Sequence, residues 1–560
     1  MAGISGTHFG HLKASAENEQ LAEMEASFSH IPFMSGFSPE LWQYGVIVMI
    51  GKKAKSDLIK DLRSVVLTEA EWNFNNKVLG KMTLDHAEKY NLIPPEQHGS
   101  RKGKRSIDHV INKRITYDIL RQTRRPGILC SNDAKSCFDR VVHSVAMLAY
   151  RRLGIPAPPV LGMIRTIQQM KHHIRTTYGD STFVVSADGS LQPHQGILQG
   201  NGASPATWVI ISGPLLEMMR EAQNGGFFEE PISNISHHIV GYAYVDDTDL
   251  IEVKMRDDNN SLEEAVERMQ EAIHRWEGGL KATGGAIQPD KSWVYPIGFK
   301  FDASGKWEYD NEVNEKFQFQ VKDHNNIMKQ MPTLNPSEGK ETLGVFLAPD
   351  GNNKKMIEYL KEKTENWSDM IRTGHLNRKD AQQALESTIM KSVEYSLPAM
   401  TLKEEECKSI MKPVMTAGLP NMGICRHYPR DALYGPKNEG GMGMTDIFTF
   451  QGTSRIAVIQ ENLNANTITG KLIRTSIEAA KVEIGIGRSI FELDYDLYKD
   501  LLTDCWIKEV WGYAHQNKIV IMDSVTKNLQ LYQENDVFLM EEIVESKKFK
   551  KGELQHINRC

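Results

Sequence analysis

The sequence predicts an α+β fold: mixed strand and helix to about residue 350, then helix alone. Two observations carry this. Short apolar runs such as "GILCSN" and "DLIEV" alternate with longer stretches of helical period in the first 350 residues. From about residue 352 onward "KKMIEYLKEKTENWSDMIRTG", "NRKDAQQALESTIMKSVEYSL", "KEEECKSIMKPVMTAGL" and "FTFQGTSRIAVIQENL" all have helical period. A third observation concerns chemistry. "YAYVDDTDL" (242–250) sets two aspartates side by side at the end of an apolar run, where a tight turn would favour Asn-Gly or Asp-Gly.

In chain order, "GFSPELWQYGVIVMIGKKAKSD" predicts a helix start at Ser38-Pro39, a strand, then a basic turn. A short strand and a helix follow in 58–82, and "NLIPPEQHGSRKGK" is a loop by its Pro and Gly. Ile107, Val110, Ile111, Ile115, Ile119 and Leu120 recur at helical spacing. "RRPGILCSND" is a turn and a strand ending at Asp133. "CFDRVVHSVAMLAYRRLG" then forms one helix with Phe138, Val141, Val142, Val145 and Leu148 on its apolar face, closed by Gly154 and Pro156. A Gly-rich loop opens a long apolar helix with Ser204 as N-cap and Pro205 at its first position. "HHIVGYAYV" and "DLIEV" are strands flanking the aspartates, and "SLEEAVERMQEAIHRWEGGLKATGG" is an amphipathic helix. "AIQPDKSWVYPIGF" and "ETLGVFLAPDG" are further strands.

Composition bounds the function. At 560 residues, 40% hydrophobic and 25% charged, the chain can build a large core and several domains. No apolar stretch has the length of a membrane span, and the N-terminus lacks a basic start followed by an apolar core. An intracellular protein is expected, nucleus or cytoplasm unresolved; "SKKFKKGE" (546–553) is a candidate nuclear-localisation run. The six cysteines have no C-x-x-C or zinc-finger spacing; Cys425 and His427 are close, but two ligands do not make a metal site. The net charge of −6 hides a local excess: 101–125 holds nine Lys/Arg against two Asp, a patch able to neutralise phosphates. The competing reading is a solvated helix face with loop charges.

Adjacent carboxylates repel, and with Asp133 at a neighbouring strand end the cost is relieved only by cations. Mg²⁺ suits oxygen ligands and leaves positions for phosphates. Asp257-Asp258, among asparagines and without a preceding apolar strand, is by contrast a plain solvated turn.

"SNDAKSCFD" (131–139), "QGILQGNGASP" (195–205) and "YVDD" (244–247), in this order, resemble three successive motifs of reverse transcriptases, particularly those of non-LTR retrotransposons and group II introns. "LRSVVL" (62–67), "EQHGSRKGKRS" (96–106), "GGAIQPDKS" (284–292) and "ETLGVFL" (341–347) resemble four further blocks, the last of them the one that grips the primer. The resemblance covers roughly residues 30–420. It departs from the family at Ser64 for Pro, Ser100 for Phe and Asn201-Gly202-Ala203 for Asp-Pro-Leu, which marks a divergent branch and puts the shape of the fingers in question.

The resemblance implies a right-hand polymerase: an N-terminal extension (1–50), fingers and an antiparallel palm sheet packed on helices (51–350), a helical thumb (351–425) and a mostly helical connection region (426–560). It implies two Mg²⁺ ions, or Mn²⁺, held by Asp133, Asp246 and Asp247, with Lys291 at the leaving pyrophosphate. Arg63, Phe138, Gln199 and Gly200 would bind the incoming deoxynucleoside triphosphate, Phe138 excluding a 2′-OH. Asp139 is expected to cap a helix rather than touch metal. Arg101, Lys102, Lys104 and Arg105 would contact template phosphates. The implied partners are an RNA template, a DNA or RNA primer and deoxynucleoside triphosphates. Two other readings stand beside this one: a domesticated, catalytically idle RNA-binding or splicing protein, and a palm-fold enzyme that makes RNA.

Overall fold

The computed structural model describes all residues except 1–2, 53–57, 183, 187–193, 255–261, 304, 530, 532, 534–535, 551–552, 555–556 and 559–560. Asp257 and Asp258 lie outside the described residues. Strand and helix mix to residue 347, and beyond it the described elements are helical.

The N-terminal segment forms two helices, Phe9–Ser15 and Glu19–Ser35. β1 (Tyr44–Gly51) and β2 (Leu62–Leu67) then pair antiparallel. The helices Ala70–Lys89 and Ser106–Thr123 lead to β3 (Gly127–Asn132). β4 (Lys171–Thr176) lies parallel to β1, and β5 (Gly179–Asp180) closes this first sheet in the order β2-β1-β4-β5. β6 (Gly226–Glu230) and β7 (Ile235–Ile239) make a separate hairpin. β8 (Gly241–Tyr244), β9 (Asp247–Glu252) and β10 (Trp293–Ile297) join β3 in a central antiparallel sheet, ordered β10-β3-β9-β8. Three hairpins follow: β11 (Phe299–Phe301) with β12 (Trp307–Tyr309), β13 (Phe319–Lys322) with β14 (Met328–Met331), and β15 (Lys340–Thr342) with β16 (Val345–Leu347).

Three local expectations are corrected. "CFDRVVHSVAMLAYRRLG" breaks into Cys137–Arg140 and His143–Arg152, because Val141 and Val142 adopt extended ψ of 124° and 126°. Asp139 therefore sits inside the short first helix, where no side chain caps. Ser204 is the first helical residue and not the N-cap, which is Ala203; the Ser204 hydroxyl donates to Leu198 O at 2.9 Å instead. "HHIVGYAYV" is two strands in two sheets, β7 and β8, parted at Val240.

The Ser106–Thr123 helix is buried on every side, 16 of its residues being in the core. It packs against β8 and against the Ile468–Ile484 helix. Its charged side chains therefore point inward. Arg114 donates to Gly351 O and Thr401, Arg121 to Asp350 O, and Asp118 accepts from the Trp506 amide. One apolar core runs from Ile107 and Leu129 through Leu347 to Trp506 and Val544, so the C-terminal helices share a core with the central sheet. A second core lies under β1, β2 and the Ser204–Glu221 helix. No helix of the described residues is long and apolar enough to cross a membrane.

Candidate active site

The register of the central sheet brings the aspartates together. β3 and β9 pair as far as Asn132↔Thr248, so Asp133 stands one residue beyond, level with Asp247. β8 and β9 pair as far as Tyr244↔Asp247, which leaves Val245 and Asp246 as the two-residue turn. Val245 takes φ 58°. A β-branched residue in the left-handed region is strained, by an amount on the order of 1–3 kcal/mol. Gln97 and Trp208 hold it there: Val245 N donates to Gln97 Oε1 at 2.9 Å, and Val245 O accepts from Gln97 Nε2 at 3.1 Å and Trp208 Nε1 at 2.6 Å.

Burial raises the pKa of all three carboxyls, and their mutual repulsion adds to it at Asp246 and Asp247. Asp247 goes furthest, pushed up to about 7 by burial and then by Asp246, Asp249 and Asp133. Cations oppose this: Lys291 and Lys52 act on Asp133, and Arg63 on Asp246. Lys291 Nζ lies 3.8 Å from Asp133 Oδ2. The Asp133 amide donates to Ser292 Oγ at 3.0 Å, and its carbonyl accepts from Gln288 N at 2.8 Å, which fixes the strand end.

The Gly-rich loop lies across β2. Val66 N donates to Gln199 O at 2.9 Å, and Gln199 Nε2 approaches Asp139 Oδ2 at 3.5 Å. Gly200, at φ 117°, has room for no Cβ, which would lie 2.4 Å from Val66 O. Phe138 is partly buried against the second core, and its carbonyl accepts from Ile197 N at 2.8 Å. Arg63, Phe138, Gln199 and Gly200 thus belong to one wall, formed by β2, the loop and the short helix after Asp133.

The basic segment is placed differently from the sequence expectation. Arg101 is 10% exposed; its guanidinium grips both Glu88 oxygens, at 2.5 and 2.8 Å, and donates to Pro94 O and Gln97 O. Arg105 pairs with Asp108 at 2.9 Å and Glu461 at 2.7 Å. Arg101 is committed to protein partners, while Arg105 stays about half exposed at the surface. Lys104 is half-buried and its pKa is lowered, chiefly by burial; Lys102 is exposed.

Sequence reasoning missed four residues here. Lys52 faces Asp133 and Asp139 from the end of β1, and Ser292 braces Asp133. Lys113 and His109 hold Asp249, two residues beyond Asp247, each at 2.8 Å. The third aspartate of "DDTD" was a visible signal, being one more charge directly before the apolar Leu250-Ile251.

Divalent cations fit this site by donor chemistry: three hard oxygen ligands, all raised in pKa by burial and two of them also by neighbouring carboxylates, gain from a cation between them. Among the described residues no three acidic, His or Cys groups already converge on one point.

Residues 52–299 match the family model described as reverse transcriptase (RNA-dependent DNA polymerase). The matched segment, which contains Asp133, Asp246 and Asp247, is similar to RNA-directed DNA polymerases. No curated protein matches. Similar solved structures include apo telomerase from Candida tropicalis truncated from its C-terminal domain, 13% identical at TM-score 0.32, covering 52% of this chain and 56% of that one. Apo telomerase from Candida tropicalis is 11% identical at TM-score 0.33, covering 82% and 73%. Telomerase from Candida albicans in complex with a fragment of telomeric RNA is 11% identical at TM-score 0.31, covering 80% and 67%. The chain thus spans just over half of the first of these.

Proposed function

We propose that the chain is the RNA-directed DNA polymerase of a retroelement, related to those of non-LTR retrotransposons and group II introns, and that it extends a primer by two-metal nucleotidyl transfer. The observation that carries this reading is the meeting of Asp133, Asp246 and Asp247 at one end of the central sheet, ringed by Lys52, Arg63 and Lys291.

In this reading the central sheet is the palm, β1–β2 with the Gly-rich loop are fingers, and the helices after Leu347 are the thumb and connection. Asp133 and Asp246 would hold the divalent ions, with Asp247 at one edge of the site. When bound, a pair of divalent ions activates the attacking 3′-oxygen and neutralises the leaving pyrophosphate. The chain's own residues position and neutralise. Lys52 and Arg63 receive the triphosphate, and Lys291, 67% exposed beside Asp133, stands where the leaving group is protonated. The Gln199–Gly200 backbone approaches the nucleotide base, and Phe138 closes the site to a 2′-OH. β15–β16 holds the primer strand.

The test is extension of an oligo(dT) primer on poly(rA) with dTTP and Mg²⁺, wild type beside Asp246→Asn. Extension by the wild type alone is expected. Folded, RNA-binding wild type that extends nothing would favour the idle binding protein.

A further inference from the structure

Lys113 and Asp249 are ionisable, almost wholly buried and outside the proposed chemistry. Lys113 is 2% exposed and Asp249 3%. Lys113 Nζ donates to Asp249 Oδ1 at 2.8 Å and to Thr342 Oγ1 at 3.0 Å. His109 Nε2 holds the other Asp249 oxygen at 2.8 Å. Asp249 lies on β9, in the same strand as Asp247, and Thr342 ends β15. One ammonium group therefore joins the hairpin that carries the catalytic aspartates to the β15–β16 hairpin.

A second link runs parallel to it. Tyr395 Oη donates to Leu343 O at 2.8 Å and to Ser106 Oγ at 3.0 Å. Ser106 and Lys113 stand on the same buried helix, seven residues and roughly 10 Å apart along its axis. The β15–β16 turn is thus tied to this helix at two points, through Thr342 and through Leu343, which itself sits at φ 49° before Gly344 at φ 82°. A buried ion pair adds little net stability over well-packed apolar residues, but it fixes a geometry that apolar residues would leave free to slide.

We propose that Lys113 is a positioning residue that, through Asp249 and Thr342, sets the distance between the catalytic hairpin and the β15–β16 hairpin, and so delivers the primer 3′ end to Asp133 and Asp246. This rests on the polymerase reading above, in which β15–β16 holds the primer. Lys113 touches neither substrate nor ions. Its effect is on alignment, where a displacement of about 1 Å can cost on the order of a hundredfold in rate.

Two variants of the full chain test it on the poly(rA)·oligo(dT) substrate. Thr342→Val removes one hydroxyl and leaves the Lys113–Asp249 pair. It is expected to raise the primer–template KM about tenfold while the dTTP KM stays within about twofold. Lys113→Met/Asp249→Asn removes both charges together, so no buried charge is left unpaired. It is expected to melt within about 5 °C of wild type yet lose at least about tenfold in kcat. A double variant that extends with wild-type kcat and primer KM overturns the proposal, as does an unchanged primer KM in Thr342→Val, which decides alone if the double variant does not fold. Where the wild type extends and the variants match it, only the positioning role falls. Where the folded wild type extends nothing, the polymerase reading falls and takes the positioning role with it.

Discussion

Gln97 and Val245, 148 residues apart, form a two-ended clamp: the Gln97 amide accepts from the Val245 N–H and donates to the Val245 carbonyl. The clamp is what keeps a β-branched residue at φ 58° beside Asp246. Gln97→Ala leaves the Val245 N–H without its partner in a part-buried site, while the carbonyl keeps Trp208, and the expected loss of stability is about 1–3 kcal/mol. The turn then relaxes, so kcat is expected to fall by more than tenfold while RNA affinity holds. Urea unfolding and single-nucleotide extension together check this; a stability loss with unchanged kcat would show that the turn keeps its shape without Gln97.

Gly99 closes the same turn from the other side. A Cβ there would lie 2.2 Å from Val245 N, a backbone atom with no way to give. Gly99→Ala is therefore expected to displace the turn and to abolish measurable extension. Gly278 is the control: it sits in the exposed face of the Leu262–Ala282 helix with nothing within 4 Å of an added Cβ. Gly278→Ala is expected to stabilise by about 0.5–1 kcal/mol, with activity intact. Melting curves and extension rates of the two variants make the comparison.

His98 gives a pH signature. Burial first, then the neighbouring His109, Lys104 and Arg101, lower its pKa from 6.5 to about 3. The unfolded chain thus binds a proton at His98 that the folded chain refuses, so the stability that His98 contributes near neutrality is lost as pH falls through about 6.5 toward 3. Up to about 5 kcal/mol is at stake. Asp247 runs the opposite way, its raised pKa favouring the folded state at low pH and ceasing to as pH rises toward 7. The wild type minus His98→Gln difference isolates the histidine: it should shrink steadily between about pH 7 and 4.5 in urea titrations. A flat difference would mean that His98 is protonated in the folded protein.

The strands of the central sheet were legible because each is a short apolar run bounded by turn residues, and the aspartates because a charge pair ending such a run has no structural use. The interior of 105–121 was not. A count of apolar residues at helical spacing marks one face as buried and assigns the rest to solvent. Lys113, Arg114 and Arg121 are buried because their partners, Asp249, Gly351, Thr401 and Asp350, arrive from 136 to 287 residues later in the chain. Lys52 was hidden for the same reason. It reads as one lysine of a basic turn until β1 brings it to Asp133.

Arg101 separates the two accounts of the basic segment. A phosphate-contacting arginine, when removed, lowers the slope of log affinity against log salt by about 0.7–0.9 and leaves stability alone. The Glu88-bound arginine described above should do the reverse. Arg101→Ala is expected to lose roughly 1–3 kcal/mol of stability through the orphaned carbonyls of Pro94 and Gln97. The salt slope of RNA binding should not move. Filter binding across a salt series and urea unfolding on the same preparation distinguish the two.

The carboxylate cluster sets function against stability. Without cations, Asp246 and Asp247 repel each other and Asp133 inside a partly dry site, which is why their pKa values rise. Neutralising one relieves that repulsion, so Asp246→Asn is expected to melt higher than wild type in metal-free buffer near pH 8. Added Mg²⁺ should then stabilise the wild type by mass action, about 2.7 kcal/mol at a hundred times its dissociation constant, and Asp246→Asn far less. The two melting curves should therefore cross as Mg²⁺ is titrated. Thermal melts with Mg²⁺ and with an equal ionic strength of KCl separate specific binding from screening. If Asp246→Asn melted lower than wild type without metal, the carboxylate would already be neutralised by protein cations, with Arg63 first among them.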